Sequence, residues 1–185
     1  MKKLTGTIIK ESFRMIILAS ILSSIGGIGL ELINEKLIAV LPLLIVFPAL
    51  NNMIGNFGTI VSANFTTLLF TNQLRAKWKS KKLKQLLHTL FTTAFFSSLF
   101  LTVLASLIAF YKGFPLTSEI FFKVLIIVMI CTAILVTLIS LISVSAGFYY
   151  YHIKQDPDNR LIALSTSIAD LGGLIIFSIL IHLMF

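Results

Sequence analysis

From Leu37 to Phe70 the chain stays largely apolar. A perpendicular membrane crossing needs only about 20 residues, so this stretch is too long for one straight span. It is also interrupted, by Pro42, Pro48, Asn51-Asn52 and Gly55-Asn56-Phe57-Gly58. Proline removes a backbone donor and clashes with the preceding turn, and glycine adds conformational freedom. The segment is therefore expected to be a long, broken second helix, which a membrane tolerates where the freed backbone is buried in protein or lines water. The rest of the chain has the same character: 57% of its 185 residues are hydrophobic, 12% are charged, and the mean hydropathy is +1.01. A soluble core of this size does not bury that much apolar surface. The expected fold class is all-α, a polytopic helical membrane protein with five transmembrane helices.

Residues 1–13 mix Lys2, Lys3, Lys10 and Glu11 with Leu4, Ile8, Ile9 and Phe13, a pattern for a short amphipathic cytoplasmic segment at the lipid headgroups. The membrane domain then occupies 14–185. Its first span is expected from about Arg14 to Ile33. The charged start resembles a signal peptide, but the apolar run is long and lacks a small-residue cleavage site, so the span is read as retained. Ser20 and Ser24, like Ser23 and Gly27, stand four apart on faces that suit close helix contact. Glu31, Asn34, Glu35 and Lys36 are expected to form the turn into the second span. The third runs from about Leu86 to Phe110, the fourth from about Ile120 to Phe148, and the fifth from near Arg160 onward.

The charge balance of +8, from 15 basic and 7 acidic side chains, reflects topology rather than a nucleic-acid partner. The basic residues cluster beside hydrophobic segments, most densely in Asn72-QLRAKWKSKKLKQ, which carries no acid. Placing that loop in the cytoplasm leaves only Lys36, Lys112 and Lys123 of the 15 basic residues outside. The expected protein sits in the cell membrane with its N-terminus cytoplasmic and its C-terminus outside. No nucleic-acid partner is expected; the bilayer is one partner.

Within these spans one residue stands apart. Asp170 lies inside the last hydrophobic segment, where a carboxylate costs about 2.5–3.5 kcal/mol on insertion-based scales and faces a cavity, a partner or an ion. Thr166, Asp170, Ser178 and His182 fall at multiples of four residues and form a polar stripe. Asp170 supplies a charged oxygen, Thr166 a neutral one a turn earlier, and Gly172-Gly173 lets another backbone come close. Oxygen-only ligation selects hard ions. Magnesium wants six oxygens and gives up its water reluctantly, so it needs few protein ligands. One carboxylate per chain is thin for a divalent ion; two across a symmetric axis balance its charge, so a homodimer is expected.

Other motifs carry little chemistry. Cys131 is the only cysteine and lies in an apolar run; it makes no internal disulfide and belongs to no zinc pattern. His88 and His182 lack metal-ligand spacing to another histidine, and the hydroxyls of the third and fourth spans suit local or interhelical bonds. Asn64-Phe65-Thr66 is a sequon inside an apolar span, and Gly26-Gly27-Ile28-Gly29 has no preceding strand. In Asp156-Pro157-Asp158-Asn159, Asp156 and Pro157 suit a helix start, while Asp158 and Asn159 are also placed to attract cations at a cytoplasmic mouth. No nucleophile–base pair is present, and the chain is not expected to be an enzyme.

Two segments together resemble the membrane domain of MgtE-type magnesium transporters and their eukaryotic solute-carrier relatives. They are Pro48-ALNNMIGNFGTIVSANFTT in the second span and Asp156-PDNRLIALSTSIADLGG entering the fifth. The resemblance implies a homodimer of five-helix protomers with a central ion path, an aspartate of the final helix holding a hydrated divalent ion, and no enzymatic activity. That aspartate maps to Asp170, and the pore-lining Gly-Asn maps to Gly55-Asn56, with Asn56 as its polar contributor. Asn159 and Thr166 complete the implied metal-site residues. Mg2+ is the implied cargo, bound partly hydrated. Two departures stand out. Only a short segment precedes the first span, so gating by the large cytoplasmic domains of the bacterial transporters is not expected within this chain. Ile60 also stands where the bacterial pattern has glutamine, and Ser62-ANFTT is closer to the solute-carrier branch. The alternative expectations are a non-transporting accessory subunit and a transporter of another cation.

Overall fold

The computed structural model describes residues 2–71, 80–153 and 158–185, all of them helical or in short connections. Five helices follow in order: α1 (Lys2–Ala39), α2 (Leu41–Phe70), α3 (Lys81–Tyr111), α4 (Ser118–His152) and α5 (Asp158–Met184). Among the described residues, α2, α3, α4 and the Leu161–Met184 part of α5 are long and apolar enough to cross a membrane. The chain is an integral membrane protein of all-helical class. The basic loop 72–79 and Asp156-Pro157 lie outside the described residues.

Two boundaries differ from expectation. The amphipathic start is the opening of α1, which runs without a break from Lys2 through Glu31, Asn34, Glu35 and Lys36 to Ala39. Neither glycine nor proline stands between Glu31 and Ala39, so the helix ends only at Val40 (φ −116°, ψ 83°).

The second helix is long, as expected, but it is not broken. Pro42 falls in its first turn, where the missing N–H has no helical acceptor to lose. Pro48 lies inside the helix and forgoes one bond to the turn before it. Gly55 has open space beside it, whereas Gly58 is a site of close packing rather than a break. A Cβ on Gly58 would stand 2.9 Å from Cβ of Ser165. Tertiary contact holds the backbone helical where local preference favours a break.

The helices pack in layers. α2, α4 and α5 touch one another; α3 covers α2 and α4, and α1 lies chiefly along α5 with a small contact to α2. Leu43, Leu50, Ile54, Ile127, Leu135, Phe177 and Ile181 fill the core toward the α1–α2 turn. A second cluster, Phe65, Leu69, Leu83, Val144 and Phe148, fills the opposite end. Between them Ser62 links α2 to α4 and α5, with its Oγ 3.3 Å from Ser143 and 3.5 Å from Ser165. Such small hydroxyls allow close helix approach without leaving polar atoms facing lipid. Gly113 (φ +85°) closes α3, and the Phe114 N–H donates back to the Ala109 carbonyl at 3.1 Å.

Candidate ion site

Asp170 stands 12 residues into α5 and 14 before its end, so the helix places it near mid-span. Its side chain is half-buried at the junction of α1, α2 and α5. The Asn51 Nδ2–H on α2 donates to Oδ1 at 2.8 Å, and the Ser23 hydroxyl on α1 donates to Oδ2 at 3.2 Å. Both donors are neutral, and among the described residues no lysine, arginine or histidine forms a salt bridge with this carboxylate. Three helices therefore meet at one carboxyl group that, among the described residues, is held by neutral donors alone.

The packing around the site depends on small residues. Gly26 on α1 receives the Leu174 side chain of α5 at the place a Cβ would occupy. Gly172 faces Leu135 of α4, 2.7 Å from where a Cβ would stand. At Gly173 a Cβ would strike Oδ1 of Asn51. The close approach that Gly172-Gly173 permits is thus made by side chains, one of them the amide that binds Asp170. Gly27 has open space beside it; in the expected Ser23/Gly27 face, Ser23 makes the polar contact and the neighbouring Gly26 the apolar one.

The other expected site residues are spread out. Thr166 lies a turn before Asp170, half-buried, with its hydroxyl directed at the Ile162 and Ala163 carbonyls at 2.9 and 3.1 Å. Its lone pairs remain available to a ligand. Asn56 is exposed on α2. Five residues along a helix is a rotation of about 140° at 3.6 residues per turn, so Asn56 points away from the side on which Asn51 meets Asp170. The side chain of Asn159, in the first turn of α5, lies outside the described residues. In the polar stripe, Leu174 fills the position between Asp170 and Ser178 and is buried, whereas His182 is exposed and near Lys36.

Ser23 and Asn51 are the partners that sequence reasoning did not attach to Asp170. Asn51 was visible as half of an amide pair in an apolar run, and Ser23 as a small polar residue, but nothing local says that α1 and α2 meet α5 there. Among the described residues no three His, Cys, Asp or Glu side chains gather to hold a metal. An ion at Asp170 would therefore take most of its oxygens from neutral groups and water, the arrangement that suits a hydrated hard cation.

No curated protein and no solved structure matches the chain. The family model for MgtE, a divalent cation transporter, matches residues 47–180. That stretch begins one residue before Pro48, includes Asn51, and runs through α3 and α4 past Asp170. A transporter family, not an enzyme family, accounts for a single carboxylate held by neutral donors among apolar helices, and this chain belongs to the MgtE family of divalent cation transporters.

Proposed function

We propose that the protein carries a divalent cation, magnesium first, across the cell membrane as a homodimer, with Asp170 holding the ion. The observation that carries this reading is the half-buried carboxylate at mid-span, hydrogen-bonded by Asn51 and Ser23 and, among the described residues, without a salt bridge. A group so costly to keep ionised in a membrane is retained for what it binds. Thr166 adds a neutral oxygen one turn away. Asn56, turned away from Asn51, belongs to the face of α2 that would meet the second protomer, and the first turn of α5, where Asn159 stands in the sequence, would lie at the cytoplasmic mouth.

The homodimer is supported by the outer face of α2. Asn52 and Asn56 are four apart and exposed, with Ala49 beside them and open space at Gly55. Carboxamides facing lipid cost several kcal/mol each, on the order of 4–8 against hydrocarbon, whereas small residues and amides suit a close helix–helix contact. A second copy laid against this face removes the cost. α1 supplies the fifth span. Ile16, Ile17, Ile21, Ile25 and Ile28 are all exposed and present a lipid-facing surface, and the basic residues other than Lys36, Lys112 and Lys123 then fall on the cytoplasmic side with the N-terminus.

The test is Mg2+ entry into liposomes containing the purified chain under an imposed potential, with Asp170→Asn alongside. Wild-type flux that falls at least roughly tenfold in a folded Asp170→Asn protein supports the reading. Equal flux in the two proteins overturns the site. No wild-type flux from a folded dimer favours an accessory subunit, and flux of another cation alone overturns magnesium.

A further inference from the structure

Asn51 has two polar ends, and they are treated differently. Its Nδ2 donates to Asp170, while its Oδ1 is buried with no hydrogen-bond partner among the described residues and lies where a Cβ on residue 173 would stand. A buried amide oxygen without a partner gives up its hydration with nothing in return, so its retention calls for a reason. The orientation follows from charge: an ionised carboxylate only accepts, so the amide must turn its N–H toward Asp170. A cation arriving at Oδ1 of Asp170 reverses that demand. It repels the amide N–H and attracts the amide oxygen, a hard neutral ligand of the kind magnesium and calcium take.

We propose that Asn51 is a two-way amide at the ion site. With no ion bound, its N–H holds the Asp170 carboxylate. With a divalent cation bound, the side chain turns about its terminal torsion and Oδ1 becomes a ligand beside Asp170. Gly173 is the clearance that lets the amide turn, since any β-carbon there meets the amide. Ser23 stays on the other carboxylate oxygen and keeps the group oriented throughout. The device lies within one protomer, on α2 and α5, and it rests on the reading of Asp170 as the ion-holding residue. It gives the site a threshold, because an ion must replace two hydrogen-bonding demands at once, which favours divalent over monovalent charge.

The test uses the full chain in nanodiscs. Mg2+ binding is measured by calorimetry for wild type, Asp170→Asn, Asn51→Leu, and Gly173→Ala alone and combined with Asn51→Ala. Asn51→Leu keeps the volume and removes the oxygen; it is expected to weaken Mg2+ binding roughly 10- to 100-fold, with a smaller preference for Mg2+ over K+. Gly173→Ala is expected to weaken binding comparably, yet to add nothing when Asn51 is already alanine, the non-additivity of two groups competing for one space. Wild-type affinity in Asn51→Leu, with binding lost in Asp170→Asn, overturns the two-way amide and leaves the Asp170 site standing. Wild-type affinity in Asp170→Asn overturns both. A second readout does not depend on the variants folding: the infrared band of asparagine labelled with 13C at its side-chain carbonyl. In the wild type, Mg2+ shifts one amide band to lower frequency, and Asn51→Gln removes that band. No shift on adding Mg2+ overturns the proposal.

Discussion

Ser23 and Asp170 are 147 positions apart and joined by one hydrogen bond, Ser23 Oγ to Asp170 Oδ2 at 3.2 Å. It ties the first helix to the last at the level of the membrane charge. A hydrogen bond of this kind to a charged group contributes about 1.5–3 kcal/mol. Ser23→Ala is therefore expected to lower the stability of the folded chain by about that amount, less if water reaches the freed oxygen. Unfolding of the detergent-solubilised variant by added SDS measures it, and an unchanged midpoint would show that the bond is not formed in solution.

The ring of Phe65 occupies the place where a Cβ on residue 147 would sit, and Phe65 also meets Phe148 edge-on, with centroids 5.1 Å apart. Overpacking of this sort costs about 1–3 kcal/mol. Gly147→Ala should destabilise the α2–α4 contact by that much, and Phe65→Leu in the same chain should recover part of the loss. The double-mutant cycle in SDS unfolding checks both halves; strict additivity would argue against direct contact.

With Cys131→Ser as background, a cysteine at position 56 reports on the outer face of α2. Mild oxidation is expected to give a covalent dimer through Asn56→Cys and none through Ile130→Cys, since Ile130 is exposed on α4 away from the amide face. Non-reducing gels decide it. Equal cross-linking at both positions would indicate random collision in the bilayer.

Cys131 itself is fully buried between apolar neighbours. A maleimide added to the folded protein should leave it unmodified over hours and label it fully in SDS. Mass spectrometry reads the difference, and rapid labelling without denaturant would place an opening beside α4.

Much of this architecture was legible before any coordinates. The third, fourth and fifth helices are largely apolar runs with polar or basic ends, and each lies where hydropathy placed it, lengthened at the ends by residues that cost little to keep helical. Asp170 drew notice as a carboxylate inside an apolar helix, open to a helix cap or a distant lysine as bland readings; it stands half-buried at mid-helix on Asn51 and Ser23. The continuity of α2 was not. Proline and glycine signal a break only when nothing packs against them, and Gly58 owes its helical backbone to its seat against Ser165. Nor were Asn51 and Ser23 legible as partners of Asp170, because periodicity assigns a residue to a face of its own helix but does not say which helix that face meets. The contact of α1 with α5 is tertiary information of that kind.

That contact also sets an order of events during synthesis. α1 leaves the ribosome first, and its principal neighbour α5 leaves last. Ser23 must wait through three further helices, and Asn51 through two, for the carboxylate they hold. A chain stopped before α5 therefore lacks the carboxylate at which the first, second and last helices meet.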